Sequence, residues 1–328
     1  MLKRVLLLTL VSILSSACQA QQHPGAEAFA EKAAAEHGLD PAAVTALLGD
    51  ARFKQSIVDA MTRPAEGKDW YEYRPIFLTD KRIEGGVEFW RENADLIGQA
   101  AERFEVDPEV IVAIIGVETF YGRITGGYRV LDALTTLSFY YPAELRDRSE
   151  FFSNELMDFL LLGQAEGLPL RDVEGSYAGA MGLGQFMPSS YLEYAVDLDG
   201  DGRRDLWHSL ADVIGSVANY LHRHGWQPGQ PVTTRAGVAE DADMELVSRS
   251  NLKPGKTVAE LAESGFVPVD PVPSNTPGAV TRLREEAGDS YWLTFQNFYV
   301  ITRYNRSPLY AMAVYDLSQE ILAAYGDA

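Results

Sequence analysis

Apolar positions recur at helical spacing over most of the chain. Ile83, Val87, Trp90, Ala94, Ile97, Ala101 and Phe104 fall every three or four residues and predict one long amphipathic helix. It leads into DPEVIVAIIGVETFY (107–121), where no position from Val110 to Val117 is polar, so this second helix should be buried on every face. Asp107 suits its N-cap, Pro108 its first position and Gly122 its end. Short alanine-rich amphipathic helices are expected from 26 to 63, a helix from Ser149 to Leu162 with Gly163 beyond it, and a terminal helix from Leu309 to Tyr325. Trp70, Tyr71 and Tyr73 stand just ahead of Pro75, a setting that predicts extended chain. Between 227 and 277 the character changes: seven of the sixteen prolines lie there among short alternating segments, which predicts a small β-rich or irregular insertion.

Composition is that of a soluble globular protein with room for two or three cores: 328 residues, 46% hydrophobic and 23% charged. A formal charge of −19 argues against nucleic acid or an anionic membrane surface as partner. Residues 1–17 carry Lys3 and Arg4, an apolar run from Val5 to Leu14 and then Ser15, Ser16 and Ala17, which reads as an export signal. Cys18, the single cysteine, comes directly after and is similar to the acylated first residue of a bacterial lipoprotein; an ordinary signal peptide releasing a free periplasmic protein is the alternative. Gln19 after that cysteine is compatible with sorting to the outer membrane.

Candidate chemistry gathers in three places. Glu118 closes the apolar helix, where desolvation and the negative end of the helix dipole both favour the protonated form that a general acid needs. The plainer reading is a solvated glutamate at the rim of a core helix. In GAMGLGQF (179–186), Gly179, Gly182 and Gly184 permit close backbone approach and Gln185 offers a paired donor and acceptor, or the glycines serve only tight packing. No lysine comes after the last glycine, so this is not a phosphate loop. Asp197, Asp199 and Asp201 alternate ahead of Gly202 at the sixth position, as in the opening of an EF-hand-like calcium loop; position twelve is His208, and Asp212 is the next carboxylate available. A solvated acidic turn is the alternative. His222 and His224, two apart on a helix, read as surface histidines, and Asp132 as a cap for the next helix.

Taken together, IIGVETFYGR, LDALTTLSFYYP, GAMGLGQFMPSSY, the aspartate loop, SVANYLHRHGW and NFYVITRYNRSPLYAMAV resemble the membrane-bound lytic murein transglycosylase B family, from about Trp70 to the C-terminus apart from the insertion. The resemblance implies a mainly α (α+β) protein: a lysozyme-like helical core with a flanking helical domain and a small β-rich insertion. The implied order is a signal peptide at 1–17, an N-terminal helical domain at 24–95 completed by the helix at 309–328, a catalytic core with the EF-hand-like loop at 96–226, the β-rich domain at 227–294 and a cleft-lining return segment at 295–308. It also implies Glu118 as sole catalytic acid and base, with Tyr73, Ser176, Gln185, Tyr220, Tyr304, Asn305 and Tyr310 lining the glycan cleft. Calcium would be held by Asp197, Asp199, Asp201, the carbonyl of Arg203, and Asp212. The expected protein is a monomeric periplasmic enzyme of peptidoglycan without an organic cofactor, anchored to the outer membrane through Cys18.

Overall fold

A computed structural model describes residues 21–63 and 67–326, so the signal segment and Cys18 lie outside the described residues. Two compact units divide at Arg52 and Phe53. In the first, α1 (Ala26–His37) and α2 (Pro41–Gly49) pack together; Asp40 caps α2 through the Ala42 amide at 3.0 Å. His23 Nε2 lies 3.2 Å from the Ala51 carbonyl and ties the start of this unit to its end.

The second unit begins with α3 (Gln55–Met61), α4 (Trp70–Phe77), α5 (Asp80–Glu92), α6 (Ala94–Phe104) and α7 (Pro108–Thr119). Two expectations fail here. DWYEYRP is helical rather than extended, because Asp69 and Glu72 form a reciprocal capping box; Pro75 falls inside the short helix, which ends two residues later. The single long helix divides at Asn93, where the backbone leaves helical geometry (φ −119°, ψ 25°) and the side-chain amide joins the backbone amide in donating to the Phe89 carbonyl, at 2.8 and 3.1 Å.

α7 is the centre of this unit. Nine of its twelve residues are buried, and it packs against α5, α6, α11 (Leu210–Arg223) and α14 (Pro308–Gly326), which covers every face. Each buried valine or isoleucine contributes ~1.5–3 kcal/mol. Asp107 stands at the N-cap but makes no capping bond; its carboxylate instead accepts from Trp226 Nε1 at 2.9 Å and from the Gly229 amide at 3.1 Å. Nor does Gly122 end the helix. Phe120 and Tyr121 already take the left-handed conformation, with φ of 52° and 58°.

Beyond α7, β1 (Tyr128–Arg129) pairs antiparallel with β2 (Glu174–Gly175), and α8 (Val130–Phe139) packs on α9 (Ser149–Glu166). α9 continues past Gly163 to a left-handed Gly167; Gly163 is needed inside it because a Cβ there would come within 2.6 Å of the Leu170 side chain. Asp132 sits in the first turn of α8, paired with Arg129 at 3.2 Å. α10 (Pro188–Tyr194) is held from α9 by buried Glu155, which accepts from the Ser189 amide and hydroxyl at 3.0 and 2.7 Å; burial pushes this carboxyl upward.

The proline-rich stretch and the residues that follow it to Thr294 form a five-stranded antiparallel sheet: β3 (Thr233–Val238), β4 (Lys256–Thr257), β5 (Phe266–Pro268), β6 (Pro277–Glu285) and β7 (Gly288–Thr294), in the order β4-β6-β7-β3-β5. With α12 (Val258–Glu263) it encloses a small core of Val258, Leu261, Phe266, Val280, Leu293 and Phe295. α13 (Gln296–Tyr304) returns the chain to the helices, and α14 runs back over α7, α5 and α4.

Candidate active site

Glu118 is half-buried in the last turn of α7, at the foot of an otherwise apolar helix. The two residues after Thr119 hold the helix end open. Phe120 and Tyr121 carry left-handed strain of roughly 1 kcal/mol each, and both rings are gripped. Phe120 lies under the guanidinium groups of Arg82 and Arg123, and the Tyr121 hydroxyl donates to the Arg82 carbonyl at 2.8 Å. Room for Tyr121 comes from glycines: a Cβ at Gly116 would stand 2.6 Å from its hydroxyl oxygen. Thr119 Oγ1 lies 2.9 Å from the Leu183 carbonyl, so the glycine segment is stitched to the end of α7.

That segment supplies the opposite wall. Gly182 has φ 67°, and a Cβ there would lie 2.4 Å from the Leu206 carbonyl. Gln185, itself left-handed at φ 50°, donates from Nε2 to the carbonyls of Gly182 and Thr125 at 2.9 and 3.1 Å. Ser176 Oγ accepts from the amides of Ala178 and Ala180, closing the turn that feeds the segment.

The third wall is aromatic. Tyr310, in the first turn of α14, donates its hydroxyl to Glu118 Oε1 at 2.6 Å. Its ring is stacked 6.5 Å from Tyr304, whose hydroxyl donates to the Gly184 carbonyl at 2.6 Å. Tyr220 packs 4.7 Å from Tyr304 and donates to the Arg303 carbonyl at 2.6 Å; Phe186 fills the space behind both. Burial first, and the Glu118 charge second, push the Tyr304 and Tyr310 hydroxyls far above the phenolic range, so both remain donors throughout neutral pH.

Tyr73 is 1% exposed and stands behind Tyr310 with Phe77 and Trp70, rather than on an open surface. Asn305 ends α13, one residue after Tyr304, and lines a cavity beside this wall. Two residues extend the aromatic row that sequence reasoning passed over or misjudged. His224 is no plain surface histidine: its ring stacks 4.2 Å from Tyr220, burial pushes its pKa down, and Tyr194 closes on both. The spacing Tyr220 to His224, four apart on one helix face, was the available signal.

The acidic loop is a second centre. Carboxylate oxygens of Asp197, Asp199 and Asp212 lie within 4.8 Å of one another. Asp212 is wholly buried, accepts from the amides of Leu198 and Asp205 at 2.8 Å each, and has its pKa raised by burial and then by Asp199 and Asp197. Asp201 is outside that trio; its carboxylate accepts from the Arg203 amide at 2.8 Å. Three converging hard oxygen donors on a turn with Gly202 at φ 88° fit a calcium-sized cation. The Ser209 hydroxyl, which caps α11, also donates to Asp199 at 2.7 Å, so the loop is fastened to that helix.

Comparison with known proteins gives a consistent match. A family model described as a transglycosylase SLT domain matches residues 21–319. The chain is 41% identical over 313 residues to membrane-bound lytic murein transglycosylase B of Escherichia coli (strain K12), covering 92% of this chain and 84% of that protein. Among solved structures, soluble lytic transglycosylase SltB1 of Pseudomonas aeruginosa is 45% identical with a TM-score of 0.83, over 92% of this chain and 100% of that one. Escherichia coli lytic transglycosylase Slt35 in complex with calcium is 39% identical with a TM-score of 0.82, over 97% and 100%.

Proposed function

The chain belongs to the transglycosylase SLT domain family and cleaves peptidoglycan as a lytic transglycosylase, and from that premise we propose that Glu118 is its acid and then its base. The 2.6 Å bond from Tyr310 carries this reading, because it fixes one carboxylate in a wall of buried phenols where no water-facing partner is needed to orient it. Protonated Glu118 gives its proton to the oxygen bridging N-acetylmuramic acid C1 and N-acetylglucosamine, and the C1–O bond breaks. The substrate's own N-acetyl carbonyl oxygen bonds to C1. The Glu118 carboxylate then takes the proton of the muramyl C6 hydroxyl, whose oxygen displaces the N-acetyl oxygen and closes a 1,6-anhydro ring. One carboxylate is enough because the substrate supplies the nucleophile, whereas a glycosidase that adds water needs two. Buried Asp132 and Glu155 and half-buried Asp316 have structural partners in Arg129, Ser189 and Arg74, and buried Asp212 belongs to the acidic loop.

Tyr73, Ser176, Gln185, Tyr220, Tyr304, Asn305 and Tyr310 are assigned to the glycan cleft on the same reading, Tyr73 as support for Tyr310. Calcium is assigned to Asp197, Asp199 and Asp212, with the Arg203 carbonyl and Asp201 as further candidates; when bound it would offset the charge repulsion of the loop and pin α11. The division into a helical domain, a core, a β-rich domain and a return segment, and a monomeric state, belong to this proposal. So does residence in the periplasm through an acyl chain on Cys18. No helix among the described residues is long and apolar enough to cross a membrane.

Digestion of purified sacculi with product masses determined afterwards tests the chemistry. Anhydro-ended products, lighter by one water than reducing-end products, are expected, and none from Glu118→Gln. Reducing-end products alone would make the enzyme a hydrolase, and unchanged turnover by Glu118→Gln would remove the assignment.

A further inference from the structure

A cavity of about 310 Å³ adjoins the aromatic wall and is lined by Lys68, Arg249, Arg282, Arg284 and Arg306, with Asn305 at its edge. Such a concentration of cations is anomalous in a chain with a formal charge of −19. Arg282 and Arg284 share a single acid, Asp289, at 3.0 and 3.2 Å. Lys68, Arg249 and Arg306 have no carboxylate within ion-pair distance among the described residues. Asp69, the one acid among the described lining residues, is committed to the capping box of α4. Among the described residues, five cations against Asp69 and Asp289 leave a positive excess. The first residues of two helices add to it: Trp70 of α4 and Pro308 of α14 both line the cavity, so two helix N-termini meet there.

From this we infer that the cavity binds the carboxylates of the peptide substituents carried by the glycan strand, so that the enzyme reads the peptide as well as the sugar. This rests on Glu118 being the cleavage site. The sugars need no cation, but each muramic acid residue carries a short peptide whose side-chain and terminal carboxylates are anionic. Reach is sufficient. On α4, Trp70 in the cavity and Tyr73 behind Tyr310 are one turn apart, roughly 5 Å along the axis. On α14, Leu309 lines the cavity and the next residue, Tyr310, holds Glu118. An extended peptide of three residues spans about 10 Å. Elsewhere the net acidity of the surface repels such a peptide, so this cavity would also set which way along the cleft the strand lies.

The test uses full-length Glu118→Gln protein to measure binding without turnover. The ligands are glycan strands bearing peptides and the same strands stripped by an amidase. Peptide-bearing strands should bind about tenfold more tightly, the size expected of one or two partly exposed charge-assisted contacts. Adding Arg249→Gln and Arg306→Gln should erase that difference while stripped strands bind as before, and in an active background the same pair should raise KM for peptide-bearing strands and leave kcat. Equal loss on both ligands, or a preference that survives the substitutions, would overturn the inference. Binding to phosphatidylglycerol vesicles that the two substitutions abolish, with peptide preference untouched, would assign the cavity to lipid headgroups instead. Failure of the cleavage assignment would show separately, in product mass.

Discussion

Tyr310 and Glu118 stand 192 positions apart in the chain and 2.6 Å apart in the fold, a phenol from the start of α14 meeting the carboxylate at the end of α7. Because burial keeps that phenol protonated, it retains a hydrogen to donate to Glu118 and remains available to the carboxylate formed once the proton has gone to substrate. Tyr310→Phe removes this one bond and keeps the ring stacked on Tyr304. Loss of a charge-assisted hydrogen bond of ~1.5–3 kcal/mol corresponds to a fall of roughly ten- to a hundredfold in kcat. Steady-state kinetics on sacculi with a melting curve alongside would check it; the melting temperature should move far less than the rate.

Glycines in neighbouring helices should answer oppositely to alanine. At Gly116 the new methyl would meet the Tyr121 ring and hydroxyl at 2.6–2.7 Å, so Tyr121 must leave its bond to Arg82 and the strained turn after Glu118 loses its anchor. Overpacking of this kind costs about 1–3 kcal/mol, and activity should fall with stability. At Gly98 on α6 nothing lies within 4 Å, and alanine there should stabilise by about 0.5–1 kcal/mol. Denaturant unfolding of both variants provides the comparison.

The sequence disclosed what local pattern determines and concealed what distant partners determine. α7 was legible because an unbroken apolar run from Val110 to Val117 admits only a buried helix, and the β-rich insertion because its prolines broke the helical spacing. The role of Asp107 was not, since Trp226 and Gly229, 119 and 122 positions away, outcompete its own helix for the carboxylate. The capping box at Asp69 and Glu72 was written in the sequence but was outweighed there by the bias of the residue before Pro75. Glu118 stood out locally as a carboxylate closing an apolar helix, whereas Tyr310 was reached only through resemblance to a family, as a cleft residue, and its bond to Glu118 only through the fold. The basic cavity has no local signature, because its cations are drawn from positions 68 to 306.

His224 should make stability depend on pH. Burial lowers its pKa below the ordinary 6.5, and the nearby Arg303 and Arg223 act in the same direction, against the Tyr220 carbonyl it faces at 2.7 Å. With the folded value depressed, the unfolded chain takes up the proton first, so stability is full above about 6.5 and declines as pH falls through that value toward the folded one. Melting temperatures between pH 7.5 and 5 should therefore decline more steeply for the wild type than for His224→Phe, which keeps the stack on Tyr220 and Tyr194 without a titrating group. Parallel curves would show that another group governs this range.

In the acidic loop, the geometry separates aspartates that look equivalent in sequence. Asp199 and Asp212 belong to the converging trio, whereas Asp201 turns its carboxylate back onto the Arg203 amide. A cation bound only by the folded protein stabilises by about 2.7 kcal/mol at a hundredfold excess over Kd, so a calcium chelator should lower the melting temperature of the wild type. Asp199→Asn should remove most of that sensitivity, because it deletes a ligand charge at an exposed position and can still accept from Ser209. Asp201→Asn should leave more of it. Asp212→Asn is the severer change: one of its two oxygens becomes an amide donor facing the amides of Leu198 and Asp205, so it should destabilise even with the chelator present. Isothermal titration with calcium and thermal melts of the three variants would rank them. An equal loss of affinity in Asp201→Asn and Asp199→Asn would place the ion differently from the trio. A chelated wild type that melts unchanged but no longer cleaves would move the ion's role from the loop to the reaction at Glu118.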